Sequence, residues 1–341
     1  MLLDKISIVL TIGTLRLSKP LVLAPMAGIS DLPFRLIARE FGCELAFIEM
    51  ISARALVYRN RKTKEMLSTL PADRPLGVQL LGNDPRIVPQ ALENLRPYKF
   101  DIIDVNAACP VGKVTTRGEG AGLLKTPQVL HRFLKAVVAH ADVPVTVKLR
   151  AGWDEYSINA REMALLAQDA GVHGLFIHGR TKVQGYSGSV DYRVIAGVKR
   201  ALDIPVIASG DALSPQLIKK LFDETGCDGV AIARGALGNP WVFRDTVCFL
   251  ENGVLPERPC LDELTGVMRR HLSLCIEYYG EHIGTMMFRK LFAWYIKGLS
   301  DVRPLKERAF QAKTKDEMVA IMATLTSGRG DSSRGSASLA A

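Results

Sequence analysis

The sequence has no two cysteines close together. Its six, at positions 43, 109, 227, 248, 260 and 275, are scattered along the whole chain. A compact zinc site needs at least one tight Cys/His pair. His271 and Cys275 approach that spacing, but no second pair lies beside them, so no metal is expected. Long apolar runs are missing too: nothing reaches the roughly 18 residues of a membrane span. The opening MLLDKISIVLTIG carries Asp4 and Lys5 before a short apolar stretch, without the small-residue cleavage site of a secretory signal. No G-x-G-x-x-G dinucleotide fingerprint follows the first strand-like run. These absences speak against a secreted, membrane-embedded or zinc-stapled protein and for a cytoplasmic one with reduced cysteines.

What is present is a chain of 341 residues, 48% hydrophobic and 23% charged, enough apolar content to exclude intrinsic disorder. Its net charge of +9 hints at a phosphate-rich partner without bearing on the fold. Short β-rich runs recur at Leu21–Met26, Leu45–Glu49, Leu76–Leu80, Ile102–Asn106, Val145–Leu149, Gly174–His178, Val206–Ser209 and Gly229–Ala233. Several are continuously apolar, as strands covered on both faces are. Helical patterns lie between them. Ser30 or Asp31 can cap a helix running to Phe41, and Ser214–Pro215 opens another that Thr225–Gly226 ends. Eight strands alternating with helices predict an α/β fold, a (β/α)8 TIM barrel, over residues 21–247. Residues 1–20 are expected to hold a hairpin, Ile6–Ser18, plugging the barrel bottom. The helical patterns Leu261–Tyr279, His282–Leu299 and Pro304–Leu325 predict an all-helical domain over residues 248–326. The Gly/Ser-rich stretch 327–341 is expected to be disordered.

Active sites of such barrels form at the C-terminal ends of the strands. That rule selects Pro25, Met26, Glu49, Gln79, Asn106, Cys109, Lys148, Arg150, His178, Arg180, Ser209, Gly210, Asp211 and Arg234. An interior filled for stability alone would not need Gln, Lys, His and Arg at consecutive strand ends. Singly, Lys148 reads as a satisfied core lysine and Arg234 as a surface charge; together they point to an anionic ligand. The turns Ser209-Gly210-Asp211 and Ala233-Arg234-Gly235 follow the last two strands, where glycines and an arginine suit a phosphate.

Seven segments then match one family in order. They are APMAGISD-x-PFR (24–35), VQL (78–80), D-x-N-x-x-CP-x-x-KV (104–114), VK-x-R-x-GW (147–153), IHGRT (177–181), SGD (209–211) and RG-x-x-GNPW (234–241). The sequence resembles the tRNA-dihydrouridine synthases, and most of all their bacterial B-type members. The resemblance implies an FMN-binding barrel followed by a helical tRNA-binding domain, with NADPH or NADH as reductant. It implies that Pro25, Met26 and Ala27 line the flavin, that Gln79 meets its pyrimidine edge, and that Lys148 and His178 face its N1/O2 region, ribityl chain and phosphate. Ser209, Gly210, Asp211, Ala233 and Arg234 would hold the phosphate, and Cys109 corresponds to the family's proton donor. Asn106, Lys113, Arg150 and Arg180 would meet the substrate.

Three positions depart from the common pattern: Ala108 and Ala233 stand where glycine is usual, and Ser209 where asparagine is. Each change keeps a small residue, and Ser209 alters the side-chain contact most. Reducing C5=C6 of uracil needs a hydride on one carbon and a proton on the other, so Cys109 must act as a thiol. The Gly-rich stretch Pro110–Gly122, with Lys113, is expected to act as a lid over the base. A uridine inside tRNA must also be turned out of its stack. Two basic clusters suit the RNA backbone: Arg54, Arg59, Arg61, Lys62 and Lys64, and a second over 289–315 that includes Arg289, Lys290, Lys297, Arg303 and Lys306. A flavin barrel acting on a free pyrimidine, and a tRNA-binding protein without chemistry, are the competing readings. A monomer is expected.

Overall fold

The computed structural model describes residues 9–58 and 61–327, and the side chains of 61, 62 and 327 are not described. Residues 6–8 of the expected hairpin, Arg59, the Arg61 and Lys62 side chains, and the tail beyond 327 lie outside the described residues.

The elements in chain order are β1 (Leu10–Ile12), β2 (Leu15–Leu17), β3 (Leu21–Leu23), α1 (Leu32–Glu40), β4 (Leu45–Phe47), β5 (Ile51–Ser52), α2 (Ala53–Val57), α3 (Arg61–Met66), β6 (Leu76–Leu81) and α4 (Val88–Leu95). They continue with β7 (Ile102–Asn106), α5 (Gly112–Thr115), α6 (Pro127–His140), β8 (Val145–Arg150), α7 (Ala160–Asp169), β9 (Gly174–His178), α8 (Tyr192–Ala201), β10 (Val206–Ser209), α9 (Pro215–Thr225), β11 (Gly229–Ile232) and α10 (Val242–Asn252). Four longer-spaced helices close the chain: α11 (Leu261–Tyr279), α12 (Glu281–Tyr295), α13 (Arg303–Gln311) and α14 (Lys315–Ser327).

All pairings of the large sheet are parallel, in the order β4-β3-β11-β10-β9-β8-β7-β6, and β6 also pairs with β4, so the sheet closes on itself. The short β5 adds at the edge of β6. The eight expected strands all form, and the structure is a TIM barrel with a helical region after it. Local chemistry explains the boundaries. Asp31 caps α1 by accepting the Phe34 N–H at 3.0 Å. Ser214 caps α9 by accepting the Leu217 N–H at 3.3 Å, Pro215 begins the helix, and Gly226 ends it in the left-handed conformation.

Two layers fill the barrel. The lower one is apolar: Val22, Leu45, Phe47, Ile102, Phe176, Ile207 and Ala231 pack with Leu10, Ile12 and Leu17 of the β1–β2 hairpin. The hairpin thus closes the bottom, where Leu10 abuts Gly229 and Ile12 abuts Gly174 at the starts of their strands. The upper layer is polar, because alternation along a strand points every second residue inward. In β8 the inward set is Thr146, Lys148 and Arg150; in β7 it includes Asp104 and Asn106.

The chain divides into two compact units. Among the described residues, one runs to Gly235 and resumes over Val242–Val254; the other takes Ala236–Trp241 and the residues from Leu255 to Ser327. The division therefore falls later than residue 248, since α10 packs on α9 as the barrel's last helix. In the second unit, the Trp241 indole N–H donates to Glu263 Oε1 at 2.6 Å. One expectation needs correction there. The pattern over 304–325 is two helices, because Thr314 and Glu317 form a capping box: the Glu317 N–H donates to Thr314 Oγ1 at 3.3 Å, and the Thr314 N–H to Glu317 Oε2 at 3.2 Å. The helix expected over 282–299 ends at Tyr295. Among the described residues, no helix is long and apolar enough to cross a membrane, and no acidic, Cys or His cluster could hold a metal.

Candidate active site at the barrel mouth

Strand register builds the site. Gln79 of β6 lies opposite Asp104 of β7, and Asp104 opposite Thr146 of β8. One step toward the mouth, Asn106 pairs with Lys148; one further, Arg150 pairs with His178 and His178 with Ser209.

The first row is a buried hydrogen-bond chain with one polarity. Asp104 accepts from Thr146 Oγ1 at 2.8 Å and from Gln79 Nε2 at 2.7 Å. A carboxylate can only accept here, so Gln79 turns its oxygen outward, where Asn106 Nδ2 donates to it at 2.7 Å. Asn106 Oδ1 is then left to accept, and takes the Ala108 N–H at 3.1 Å and the Cys109 N–H at 2.8 Å. The orientation of the cysteine segment is thereby set by a carboxylate buried below it. Asp104 was visible in the sequence only as the D of the D-x-N segment. Its signal is a charged residue inside an otherwise apolar strand.

Cys109 is half-buried at the mouth. Its carbonyl accepts the Ala121 N–H at 3.0 Å, which folds the following stretch back on it. Gly120 allows that fold: its φ is +57°, and a Cβ there would lie 2.9 Å from the Cys109 carbonyl oxygen. The stretch Pro110–Gly122, expected to act as a lid, contains α5 and the start of a 3-10 turn over Gly120–Lys125. Buried Glu119 pairs with Arg117 at 2.8 Å, and Lys113 is exposed.

Lys148 Nζ donates to Ser209 Oγ at 2.8 Å, and Ser209 Oγ donates to the Ile177 carbonyl at 3.2 Å. Burial pushes the Asp104 carboxyl up and the Lys148 ammonium down, each opposed by the other's charge. His178 is buried, and its ring is pulled down to about 2 by burial first and then by the charges of Lys148, Arg150, Arg180 and Arg234, so it is neutral. Its Nε2 is buried without a hydrogen-bond partner. Beside it, Gly210 has a φ of +106°, and a Cβ there would come within 2.7 Å of that nitrogen. The glycine leaves space in front of an unsatisfied polar atom, the mark of a place for a ligand.

The arginines divide by role. Arg150 is buried: its Nε donates to the Ala108 carbonyl at 2.7 Å, and its Nη1 to the Thr181 and Gly185 carbonyls at 2.9 Å each. Arg180 grips Asp211 with both terminal nitrogens at 3.0 and 2.6 Å, and takes the Ser187 and Gly188 carbonyls. Both guanidinium groups, expected to face substrate, are engaged by the protein itself. Asp211 also accepts from Arg234 Nη2 at 3.1 Å, so the carboxylate aims Arg234, which stays well exposed. Met26 is fixed by its N–H to Ser30 Oγ at 2.8 Å; Pro25 is half-buried beside it and Ala27 exposed. Pro25 lines a small cavity with Ala24, Gln79, Asp104 and Lys148. Ala233 is half-buried next to Arg234.

The basic clusters have mixed fates. Arg54 and Lys64 are exposed in the first unit. In the second, Arg289 donates twice to the Ala312 carbonyl, and Arg303 pairs with Glu307 at 3.2 Å. Lys290 is exposed, Lys306 half-buried, and Lys297 stands 5.3 Å from the Trp294 ring centroid.

Comparison with known proteins gives this geometry a family. Residues 22–327 match the model described as Dihydrouridine synthase (Dus). Curated relatives include tRNA-dihydrouridine synthase B of Vibrio vulnificus, 39% identical over 84% of this chain and 89% of that protein. The protein of the same name from Pseudomonas aeruginosa is 36% identical over 92% and 94%. Probable tRNA-dihydrouridine synthase 1 of Synechocystis is 37% identical over 90% and 86%. Among solved structures, the 6-hydroxypseudooxynicotine amine oxidase of Pseudomonas geniculata aligns with a TM-score of 0.58 at 14% identity, over 80% of this chain and 52% of that one, a likeness of fold. The family match spans both the barrel and the helical region, and the chain belongs to the dihydrouridine synthase family.

Proposed function

We propose that this chain reduces the C5=C6 bond of specific uridines in tRNA to 5,6-dihydrouridine in the cytoplasm, with FMN as resident cofactor and NADPH or NADH as electron source. The observation that carries the reading is the arrangement at the mouth. A cysteine held through Asn106 faces the same opening as an unpartnered buried histidine nitrogen and a cluster of cations.

The residues fit a flavin mononucleotide. His178 Nε2 and the space beside Gly210 suit its ribityl-phosphate end, with Arg234 aimed by Asp211 as the phosphate cation and Ser209 and Ala233 as close neighbours. Pro25, Met26 and Ala27 offer an apolar wall, and Lys148 a positive charge that favours a reduced, anionic ring. Gln79 is directed by Asp104, so its amide polarity is fixed before any ligand arrives. When bound, the flavin supplies the hydride that adds to C6 of the base.

The chain's own groups do the rest. Asn106 and its partners hold Cys109 at the opening, and the thiol gives its proton to C5. Hydride and proton together saturate the double bond, and the thiolate left behind regains a proton from solvent. Arg150 ties the Cys109 segment to the loop at 181–185 and so keeps the donor in place. Lys113 is exposed near the start of α5 and suits a substrate phosphate. Arg54, Lys297 and Lys306 suit the RNA backbone more than Arg289 and Arg303, whose donors are engaged within the fold.

The test is a map of dihydrouridine in tRNA from a strain lacking this protein. Loss at one or more positions, restored by the wild-type gene and not by Cys109→Ala, is the expected result. An unchanged map contradicts the proposal.

A further inference from the structure

The loops after β8 and β9 are joined into one surface. The Ala151 N–H lies 3.1 Å from the carbonyl oxygens of both His178 and Arg180. The Lys182 N–H donates to the Gly152 carbonyl at 2.9 Å and the Val183 N–H to the Trp153 carbonyl at 3.0 Å. Beneath, Arg150 and Arg180 take four carbonyls of residues 181–188 between them. A loop held so firmly has a settled surface, and that surface displays apolar and aromatic groups: Tyr156 is 91% exposed, Val183 64% and Tyr186 62%. Exposed rings and an exposed aliphatic group on loops tied together in this way mark a contact surface.

Charge says what it would contact. Lys125 Nζ and Lys182 Nζ lie 3.6 and 4.5 Å from the centroid of the Trp153 ring, and neither pairs with a carboxylate among the described residues. An indole holds a cation without neutralising it, so both charges remain available. Of the two acids in this loop, Asp154 is occupied by the Tyr156 N–H and the Ser157 hydroxyl, at 3.1 and 2.7 Å; Glu155 is exposed. Tyr186 stands 5.2 Å from the Arg234 guanidinium and 5.8 Å from that of Arg150. Through Arg150 this surface is continuous with the cysteine segment, since the same guanidinium holds the Ala108 carbonyl. An exposed ring at Tyr186 and two unpaired ammonium groups at Trp153, on loops joined to each other, are the chemistry of unstacked nucleotides, base against ring and phosphate against ammonium.

We propose that the joined loops form a further RNA-contacting surface of the enzyme, with Tyr186 against a nucleotide beside the target uridine and Lys125 and Lys182 against its phosphates. This rests on the tRNA reading above. Charge windows along the sequence do not show it, because Lys125 and Lys182 are far apart in the chain and meet only at Trp153.

Steady-state kinetics of the FMN-loaded enzyme on an unmodified tRNA transcript, at several salt concentrations, test it. Tyr186→Ala should raise KM for tRNA roughly tenfold with flavin content unchanged, and Tyr186→Phe should restore KM. The Lys125→Ala/Lys182→Ala double variant should raise KM and lower the salt-dependence slope by roughly 1.5. Unaltered KM and slope in both variants overturn the proposal. So does a Tyr186→Ala enzyme that loses flavin rather than tRNA affinity, which would show that the ring serves Arg234 alone. If wild type itself makes no dihydrouridine, the parent reading fails instead.

Discussion

His178 in the barrel and His271 in the helical unit are both buried and both held neutral, yet their surroundings differ. Burial alone pulls His271 down to about 3, and its Nδ1 meets the Tyr295 hydroxyl at 3.0 Å. Phe288 and Tyr295 present themselves edge to face with it, at 5.8 and 5.9 Å between centroids. His178 is pulled down to about 2 by burial and by four surrounding cations, and Gly210 leaves space in front of its Nε2. The helical unit buries its histidine as packing. The barrel mouth gathers four cations around its histidine, a mutual repulsion that packing does not require. A fold retains such a cost where a ligand offsets it, and that contrast separates scaffold from site in this chain.

The comparison breaks most sharply at Cys109. Its replacement by alanine should lower the rate of dihydrouridine formation by about 10²–10⁴-fold, while flavin uptake and thermal midpoint stay at wild-type values. A variant of equal activity would remove the thiol from the chemistry. Asn106→Ala should come next, with a loss of roughly 10–100-fold, because Cys109, Ala108 and Gln79 each lose a hydrogen-bond partner. No change in single-turnover rate would show that the buried chain from Asp104 is structural only.

Acid should affect both histidines. In the unfolded chain each takes a proton below about pH 6.5, whereas in the folded protein neither does until about 2 for His178 and about 3 for His271. Between those values the unfolded state binds more protons, so stability is full above about pH 6.5 and falls with pH. At pH 5 the loss is about 2 kcal/mol for each histidine. Denaturant melts at pH 7 and 5 check this, and His271→Phe should remove its own share of the acid sensitivity. The smallest effect belongs to the surface: Lys297→Ala should weaken tRNA binding a few-fold and reduce the salt slope by about one, read by filter binding.

Much of the fold was legible because its signals are local. Asp31, Ser214–Pro215 and Gly226 mark helix ends by the hydrogen bonds and backbone angles they make. The strand runs are apolar because both faces are covered. The break between α13 and α14 was also written locally, in Thr314 and Glu317, but periodicity hides it since both halves bury an apolar face. The site was legible as a set of residue types at strand ends. Its wiring was not, since hydrogen-bond direction depends on register: only the pairing of Gln79 with Asp104 makes the amide face outward. Arg150 and Arg180 show the limit clearly. A sequence gives an arginine at a strand end, but whether its donors meet a substrate or the protein's own carbonyls depends on loops that come back from elsewhere.

The central claim is that the mouth of this barrel reduces uridine in tRNA with Cys109 as proton donor. Purified protein loaded with FMN, given NADPH and an unmodified tRNA transcript, should produce nucleosides heavier by two hydrogens, measured by mass spectrometry of the digest. The account predicts that product from wild type and its near-absence from Cys109→Ala holding the same flavin. No product from wild type, or equal product from both, would contradict it.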